Sequence, residues 1–394
     1  MNKKKQKKNF NQRVAVVCDP LFKYGGAELQ LKYILEAFPN SELFTAFYDE
    51  DFVKENFPDV KIHHSFMQYI PGKFKFREFL LLLQPLAYRS FNFKSFDIVL
   101  SHTISFAKFV KPPKGIKHIC SCMSPPKFFW DRGARSIRNE NDFKGINRFL
   151  FKFYSFFMDT FLEDLWKKWD KNAARRCDKI FGNSNTVKER IKKYYDIDAD
   201  VIYPPVEVKK IKEHKLMNRR EKWFIYVGRI ESYKGVELAI RACVKAGVQL
   251  KVVGKGNDLE RMKELVKELK ARGSIKFLGF VSDEEKIDLF SRCKAFVYPV
   301  RKEDFGIVAV EANAAGAPVI AFREGGVLET ISEDNPKTGK FFDKYTVKEL
   351  ASVLKNFKSE DYNPSNCRKQ ADNFAAEIFV YKLQNYVQDT LQEN

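Results

Sequence analysis

Short runs rich in β-branched and aromatic residues alternate with amphipathic stretches along nearly all of the 394 residues. Most runs end near Gly, Pro or Asp, which is typical of strands that lead into helices around a parallel sheet. Two such sets predict an α/β protein of two doubly wound, Rossmann-like domains. The predicted strands are 13–18, 42–47, 61–65, 97–101, 117–122, 179–182 and 200–203 in the first half, and 223–227, 249–253, 275–278, 295–298 and 318–322 in the second.

The boundary between the two domains is predicted just after Pro205. The charged stretch beyond it has little apolar periodicity, so we interpret it as a hinge before the apolar pattern resumes. The chain ends in a pattern typical of a helix, which we expect to return to the first domain. The predicted division is a basic tail (1–12), an N-terminal domain (13–205), a hinge (206–222), a C-terminal domain (223–366) and a C-terminal helix (367–394).

The chain is strongly basic, with 70 Lys and Arg against 51 Asp and Glu and a formal net charge of +19. A hydrophobic fraction of 44% excludes global disorder. Most of the excess charge and most of the 38 phenylalanines lie in residues 1–200. The basic, Phe-rich stretches 74–83 and 149–162 could therefore lie on an anionic membrane surface, or their Phe side chains could fill the first domain's core.

The seven cysteines are scattered and form no C-x-x-C pair, which predicts reduced thiols in a cytoplasmic protein and neither a disulfide framework nor a zinc site. Residues 1–8 are rich in Lys, but the residues after them do not match a signal peptide. The clear apolar run at 79–83 is far shorter than the about 18 residues that a membrane-spanning helix needs. We therefore expect no transmembrane segment.

The strongest motif in the second half is E-x7-E, formed by Glu303 and Glu311. A helix predicted to begin near Phe305 or Gly306 would direct the N–H groups of Phe305, Gly306 and Ile307 at a bound oxygen. A carboxylate suits the vicinal diol of a ribose or hexose, because it can accept two hydrogen bonds. Alternatively, the motif is only an acidic helix start that the macrodipole stabilises.

Two cations precede this motif. Arg229 lies at the end of the predicted strand 223–227, and Lys234 lies just before the next predicted helix. A fork donor and a point charge at the carboxyl end of a parallel strand are what a diphosphate requires. Either residue alone could be an ordinary surface cation, but together with E-x7-E they favour a diphosphate site.

Glycines mark two further loops. Gly25 and Gly26 come after the first strand and would let the backbone approach a ligand at the start of a helix. The segment V-G-K-G-N from residue 253 is only a partial dinucleotide fingerprint, because Leu259 stands at the third glycine position. The sequence therefore does not predict a nicotinamide enzyme.

In combination, these motifs resemble a retaining GT-B glycosyltransferase of family 4, and most closely the branch of the O-antigen mannosyltransferases. The resemblance covers about residues 13–390 and is most specific in the second domain. Its motifs are GGAE at 25–28, S-H-T-I-S at 101–105, F-G-N-S-N-T from 181, V-I-Y-P-P-V from 201, Y-V-G-R with Y-K-G, F-L-G-F-V-S-D-E-E from 277, and E-x7-E with A-G-A-P-V-I after it.

The resemblance implies two domains that face a cleft, and it implies roles for individual residues. Arg229 and Lys234 match the diphosphate-binding cations and Glu303 the residue that holds the transferred sugar. His102 matches a histidine usual in this branch, although a hydrogen-bonded loop histidine is the alternative. Further matches are Glu311 to the ribose-binding glutamate, Phe280 and Val281 to the segment at the nucleobase, Phe305, Gly306 and Ile307 to backbone donors, and the loop of Gly25 and Gly26 to the one beside the donor phosphate.

The chain departs from the family pattern at one position. Many members have a histidine near the donor sugar, shortly after the strand that corresponds to 117–122, whereas this chain has Met123. No role carries over to Met123. The D-x-D pattern between Asp196 and Asp200 would bind a metal in another glycosyltransferase fold, but here it lies in a predicted turn, so no metal is expected.

The resemblance implies transfer of a hexose, with mannose favoured, from a nucleoside diphosphate sugar to a glycan or polyprenyl-linked acceptor in cell-surface polysaccharide synthesis. The anomeric configuration would be retained. GDP-mannose is the favoured co-substrate, and no other cofactor is expected. The alternatives are a GT-B nucleotide-sugar epimerase and a basic protein that binds nucleic acid or a membrane surface. No nucleic-acid module motif is present, so we expect no nucleic-acid partner but allow peripheral contact with the inner face of the plasma membrane.

Overall fold

The computed structural model describes residues 10, 12–74, 79–131, 163–217 and 220–393. The chain divides into two compact units. Unit 1 comprises Met1–Ile202 and Val380–Asn394, and unit 2 comprises Tyr203–Phe379. The predicted Phe-rich stretch 149–162 and most of the predicted basic tail lie outside the described residues.

Unit 1 is built on a parallel sheet of seven strands. These are β1 (Val14–Cys18), β2 (Glu42–Thr45), β3 (Ile62–His64), β4 (Ile98–Thr103), β5 (Lys117–Cys122), β6 (Lys179–Gly182) and β7 (Asp200–Val201). The described helices are α1 (Gly26–Ala37), α2 (Glu50–Asn56), α3 (Gln84–Arg89), α4 (Lys127–Trp130), α5 (Glu163–Arg175) and α6 (Asn185–Tyr195). The spatial order is β3-β2-β1-β4-β5-β6-β7, so the winding reverses between β1 and β4.

Unit 2 contains a parallel sheet of six strands. These are β8 (Phe224–Val227), β9 (Leu250–Val253), β10 (Ile275–Gly279), β11 (Phe296–Tyr298), β12 (Val319–Phe322) and β13 (Gly339–Phe342). The helices are α7 (Val208–Lys212), α8 (Val236–Ala246), α9 (Leu259–Glu268), α10 (Asp283–Arg292), α11 (Ile307–Ala314), α12 (Val327–Thr330), α13 (Val347–Asn356) and α14 (Pro364–Ala371), and then α15 (Ala376–Gln392), which continues into unit 1. The order β10-β9-β8-β11-β12-β13 reverses between β8 and β11.

The sheet of unit 2 is apolar on both faces, as the sequence pattern predicts for a doubly wound fold. In β8, Ile225 and Val227 belong to one buried cluster, whereas Phe224 and Tyr226 belong to the cluster on the other side. Successive side chains of a strand point to opposite faces, so a continuous apolar run fills both layers. The predicted fold class is confirmed.

Phenylalanines form much of the core of unit 1. Phe44, Phe47, Phe93, Phe106 and Phe109 are all buried in one cluster around the sheet. Packing in the core of unit 1 therefore accounts for these phenylalanines. No helix among the described residues is long and apolar enough to cross a bilayer.

The structure differs from the predicted organisation in a few places. Strand β13 is not among the predicted strands. Within the predicted hinge 206–222, Val208 and Ile211 are buried in the core of unit 2, because their i,i+3 spacing gives helix α7 an apolar side. The predicted C-terminal helix 367–394 is divided into α14, which ends at Ala371, and α15, which begins at Ala376. Its residues from Val380 belong to unit 1, the domain to which the helix was expected to return, and there the Gln384 side chain donates to the Ala37 carbonyl at 2.8 Å.

Candidate active site

The loops after β8 and β11 open at the same edge of the unit 2 sheet, where its winding reverses. Such edges are where doubly wound sheets bind ligands. Arg229 comes after β8, and Lys234 ends the short turn Ser232–Lys234. The next residue, Gly235, has a φ of +72°, and a side chain there would lie 2.3 Å from the Pro299 carbonyl oxygen. The structure therefore places both predicted cations at this edge.

Glu303 lies in the loop after β11 and is held through its side chain and its main chain. One carboxylate oxygen accepts hydrogen bonds from Lys234 Nζ at 3.0 Å and from the Tyr298 hydroxyl at 2.8 Å. The main chain pairs with Gly325, and Gly326 N–H donates to the Glu303 carbonyl at 2.9 Å. Burial raises the pKa of Tyr298 well above its usual value and Glu303 raises it further, so the hydroxyl keeps its proton.

Helix α11 begins directly after this loop. Gly306 is its N-cap with a φ of +95°, a conformation that favours glycine. The Phe305 ring is buried against Tyr203 and Phe374, so its side chain is part of the core. What this segment offers a ligand is its backbone, because the N–H group of Ile307, the first residue of the helix, has no acceptor within the helix.

The predicted nucleobase segment comes directly after β10. The Phe280 ring is 75% exposed, while Val281 packs partly against the core. Lys255 Nζ lies 5.6 Å from the centroid of the Phe280 ring, within range of a cation–π contact. A side chain at Gly254 would lie 1.9 Å from the Gly228 carbonyl oxygen. The partial glycine fingerprint thus reflects close packing of the loops after β8 and β9.

Glu311 lies on the second turn of α11 and has a partner that the sequence did not reveal. Lys286 Nζ, on α10, lies 3.1 Å from Glu311 Oε2 and 2.9 Å from Asp283 Oδ1. Burial raises the pKa of Glu311, and the charge of Lys286 limits that rise. The run E-E-K in an amphipathic helix is an ordinary surface pattern, so only the packing of α10 on α11 reveals this contact.

In unit 1 the corresponding edge carries Gly25, the N-cap of α1, and Gly26, its first residue, both exposed. His102, near the end of β4, is only 3% exposed. Its Nε2 donates to the Ala27 carbonyl at 3.0 Å, and its Nδ1 accepts from the Ser121 hydroxyl at 3.1 Å. Burial lowers the pKa of His102. These contacts favour the alternative of a neutral, hydrogen-bonded histidine that ties β4 to the start of α1.

Asp19, which no sequence motif singled out, organises the loop after β4. Its carboxylate accepts from the Thr103 hydroxyl at 3.0 Å and from the backbone N–H groups of residues 104–107 at 2.7–3.0 Å. A buried loop backbone needs such acceptors. An Asp directly after a predicted strand was the available signal, but its partners lie far along the chain.

A small cavity of about 40 Å³ lies beside this loop. Met123, Glu28, Asp19 and His102 are among the residues that line it. Burial raises the pKa of Glu28, and the nearby charge of Asp19 also acts in this direction. Met123 stands near the position expected for the family histidine, and its N–H donates to the Thr103 carbonyl at 3.0 Å. The thioether offers no equivalent of an imidazole donor.

Two family models match the chain in succession. The model described as Glycosyltransferase Family 4 matches residues 24–210, and the model described as Glycosyl transferases group 1 matches residues 207–374. The chain therefore matches glycosyltransferase families over residues 24–374. The glycosyltransferase predicted from the sequence motifs is confirmed at this level, and the epimerase alternative is not favoured.

The glycosyltransferase is similar to several known proteins. It is 32% identical over 178 residues to an uncharacterized glycosyltransferase of Methanocaldococcus jannaschii, covering 41% of this chain and 45% of that one. It is 26% identical over 239 residues to the O-antigen chain mannosyltransferase RfbU of Salmonella typhimurium, covering 56% and 66%. Thus the aligned region spans about half to two thirds of these relatives.

The fold of the glycosyltransferase is also found among solved structures. HepE of Anabaena in complex with UDP superposes with a TM-score of 0.66 at 16% identity, covering 95% of this chain and 99% of that one. At this identity the match supports the GT-B fold alone.

The D-x-D pattern of the glycosyltransferase lies in a turn, as predicted. Asp196 is the C-cap of α6 and pairs with Arg175 at 3.3 Å and Lys192 at 3.6 Å. Asp198 pairs with Lys188 at 3.4 Å. Within the described ranges, no group of three or more His, Cys, Asp or Glu side chains could hold a metal. A metal-independent reaction stays a prediction.

Proposed function

We propose that this glycosyltransferase moves a hexose from a nucleoside diphosphate sugar to a glycan or polyprenyl-linked acceptor, with the anomeric configuration retained. The observation that carries the proposal is the hydrogen bonding of Glu303 by Lys234 and Tyr298 at the edge where the unit 2 sheet reverses. This arrangement joins a phosphate-binding cation directly to a carboxylate suited to sugar hydroxyls.

The leaving diphosphate makes the largest electrostatic demand on the site. Arg229 can donate as a fork and Lys234 as a point charge, and both lie at the edge to which α11 presents its N-terminus. Lys234 is held by its hydrogen bond to Glu303, and Gly306 by its place as the N-cap of α11, before a ligand arrives. Groups positioned in advance are the condition for strong stabilisation of developing charge. We assign Arg229, Lys234 and the Gly306 backbone to the diphosphate.

Glu303 is better placed to bind than to attack. One of its oxygens already accepts from a lysine and a tyrosine, which holds the carboxylate in one orientation. We therefore infer a front-side reaction. The bond between the anomeric carbon and the phosphate oxygen breaks, the acceptor oxygen bonds to the same face of that carbon, and the acceptor proton passes to the departing phosphate.

GDP-mannose is our proposed donor. It is supported by the similarity to an O-antigen mannosyltransferase, whereas the similarity in fold to a UDP-bound protein makes UDP-sugars the necessary comparison. The exposed Phe280 ring gives either base a flat apolar surface. Glu311 is assigned to the ribose hydroxyls.

The acceptor is assigned to unit 1, and a lipid-linked acceptor would make peripheral contact with an anionic membrane useful. Support comes from apolar side chains that unit 1 leaves in solvent, such as Tyr69 at 76% and Leu86 at 58% exposure. The proposed location is the cytoplasmic face of the plasma membrane, where cell-surface polysaccharides are assembled from nucleotide sugars.

A thermal-shift screen with UDP, GDP, ADP and their sugars tests the donor proposal. A ligand that binds only the folded protein raises the melting temperature in proportion to RT ln(1 + [L]/Kd). GDP and GDP-mannose should give the largest shift, and Lys234→Met should remove it. Lys263→Met is the matched control, because Lys263 pairs with Glu260 on the surface of α9. Equal, negligible shifts with all nucleotides would contradict the proposal.

A further inference from the structure

The carboxylate of Glu311 is paired with a lysine from a neighbouring helix. Lys286 Nζ lies 3.1 Å from Glu311 Oε2, and the two side chains are only 19% and 16% exposed. Lys286 also lies 2.9 Å from Asp283 Oδ1, one turn earlier on α10. The pair is thus largely shielded from solvent, and Asp283 holds its lysine on α10.

The charges around Glu311 are unbalanced without this lysine. Asp283 and Glu207 are the acidic neighbours that raise the pKa of the carboxyl in addition to its burial, and Lys286 is the cation that opposes them. The charge of Lys210 acts on Asp283 and helps to lower the pKa of that carboxyl. Burial would lower the pKa of Lys286, but Glu311 and Asp283 outweigh it and raise that pKa. Lys286 therefore stays charged.

The geometry also restricts how Glu311 can point. A carboxylate has about four acceptor directions, and Lys286 takes one of them at Oε2, which restricts the rotation of the group. The remaining directions are available to two hydroxyl donors. A vicinal diol needs two acceptors at a fixed separation, so a carboxylate that rotates freely would bind it less well.

We infer that Lys286 is a positioning residue, which keeps Glu311 ionised and oriented so that it accepts both hydroxyls of the nucleotide ribose. The inference rests on the proposed function, because it assumes that Glu311 meets the ribose of a nucleoside diphosphate. Lys286 acts through Glu311, and the inference gives it no contact with the reacting atoms.

The test combines a change in the protein with a change in the ligand. Calorimetric titrations with UDP, GDP and their 2′-deoxy analogues are compared for wild type, Lys286→Met, Lys286→Gln, Lys286→Arg and the control Lys263→Met. In wild type, loss of the 2′-hydroxyl should weaken binding about tenfold, the effect of one hydrogen bond to a charged group. In the Met and Gln variants the ribonucleotide should bind about tenfold more weakly, and the deoxy penalty should shrink to about twofold.

The Arg variant should restore most of the deoxy penalty, because it keeps the charge beside Glu311, and the control should match wild type. Melting curves show which variants are folded, and two neutral replacements are included so that a folded one is compared. Equal weakening of ribo- and deoxynucleotides in the neutral variants would indicate a purely structural role and overturn the inference. Unchanged binding would overturn it as well.

The dependence on pH gives a second readout that a packing role would not change. Without Lys286 the Glu311 carboxyl loses the attraction that favours its charged form, so it protonates at a higher pH than in wild type. Binding to Lys286→Met should therefore weaken more steeply than binding to wild type as the pH falls from about 8.5 to about 5.5. Parallel curves would contradict this prediction.

The two proposals fail in distinguishable ways. If wild type binds neither nucleotide, or binds ribo- and deoxynucleotides equally, the assignment of the site itself is wrong. If wild type shows the deoxy penalty and the neutral Lys286 variants keep it in full, the site stands and the role of Lys286 is wrong.

Discussion

The two sheet edges use their polar side chains in different ways. In unit 2, charged side chains pair with one another, Lys234 with Glu303 and Lys286 with Glu311, and each keeps a small exposed fraction. In unit 1, Asp19 is occupied by the protein's own backbone and His102 by a carbonyl and a serine hydroxyl. The same topology therefore supports two different tasks.

The difference has a physical basis. An ion pair between side chains can also bind a ligand, because a lysine has three donors and a carboxylate has about four acceptor directions, and one contact uses only part of each. Backbone N–H groups that have lost water cannot give up their acceptor unless the loop opens. Unit 2 is thus suited to receive a charged ligand, and unit 1 presents a loop that is shaped in advance, with Ile104 45% exposed on it.

The largest expected effect tests the ligand-binding side of this contrast. Lys234→Ala and Glu303→Ala should each lower transfer by about 10²–10³-fold or more, because they remove charge stabilisation and sugar binding in the transition state. The measurement is product formation under saturating donor, with melting curves to show that the fold is kept. Lys263→Met should behave as wild type, and near-normal turnover in either alanine variant would reject the assignment.

The scaffold side is tested by Asp19→Ala. Several backbone N–H groups would lose their acceptor at once, so the free energy of unfolding of unit 1 should fall by about 2–4 kcal/mol. Hydrogen exchange measured by mass spectrometry can assign the loss to peptides from unit 1. Asp198→Ala is the control, since that side chain is 79% exposed. Destabilisation of both variants alike would remove the special role of Asp19.

A smaller effect concerns acid sensitivity. The buried His118 forms a hydrogen bond of 2.8 Å between its Nε2 and the Ser101 hydroxyl, and burial lowers the pKa of His118 to about 4. In the unfolded chain the His118 imidazole is protonated below about pH 6.5, whereas in the folded state it stays neutral until the pH approaches 4. The free energy of unfolding that is present above pH 6.5 is therefore lost as the pH falls towards 4. We expect unit 1 to lose about 1–2 kcal/mol between about pH 7 and 5 from this residue.

His118→Gln should abolish that part of the pH dependence while leaving the contribution of Glu28, whose raised pKa acts in the opposite direction, unchanged. The comparison is made by denaturant unfolding at several pH values, with exchange of unit 2 peptides as the internal reference. An identical pH profile for wild type and His118→Gln would show that this imidazole does not matter.

Removal of divalent metal ions is expected to have no effect on the rate of transfer. If cations and helix N–H groups stabilise the leaving diphosphate, as proposed for unit 2, EDTA should leave the rate of transfer unchanged and added Mg²⁺ or Mn²⁺ should not raise it. If EDTA abolishes transfer and a divalent ion restores it, a metal supplies part of the charge stabilisation that is assigned here to side chains.

Much of the fold and part of the site could be predicted from the sequence. Strand β1 is predicted at 13–18 and found at Val14–Cys18, because an uninterrupted apolar run identifies a buried parallel strand. Strand β13 is not predicted, because Gly339 and Lys340 interrupt its apolar pattern and its pairing with β12 is what makes it a strand.

The motif E-x7-E, Arg229 and Lys234 indicated the site because their spacing relative to strands and a helix start is local information. Their mutual contacts were not predictable: Lys234 and Glu303 are 69 positions apart, and Asp19 and Thr103 are 84 apart. A single sequence shows that a lysine exists, but not which carboxylate it meets once two helices pack.

The sequence by itself determined two parallel sheets, their approximate strands and the residues of the candidate site, because periodicity and motif spacing are properties of the covalent chain. Only the tertiary structure decided how those residues are paired. It placed Lys286 against Glu311 and made the Asp19 carboxylate the acceptor for the backbone N–H groups of residues 104–107. It also gave both ring nitrogens of His102 a hydrogen-bond partner. Such contacts depend on distances across the fold, and burial gives them their strength.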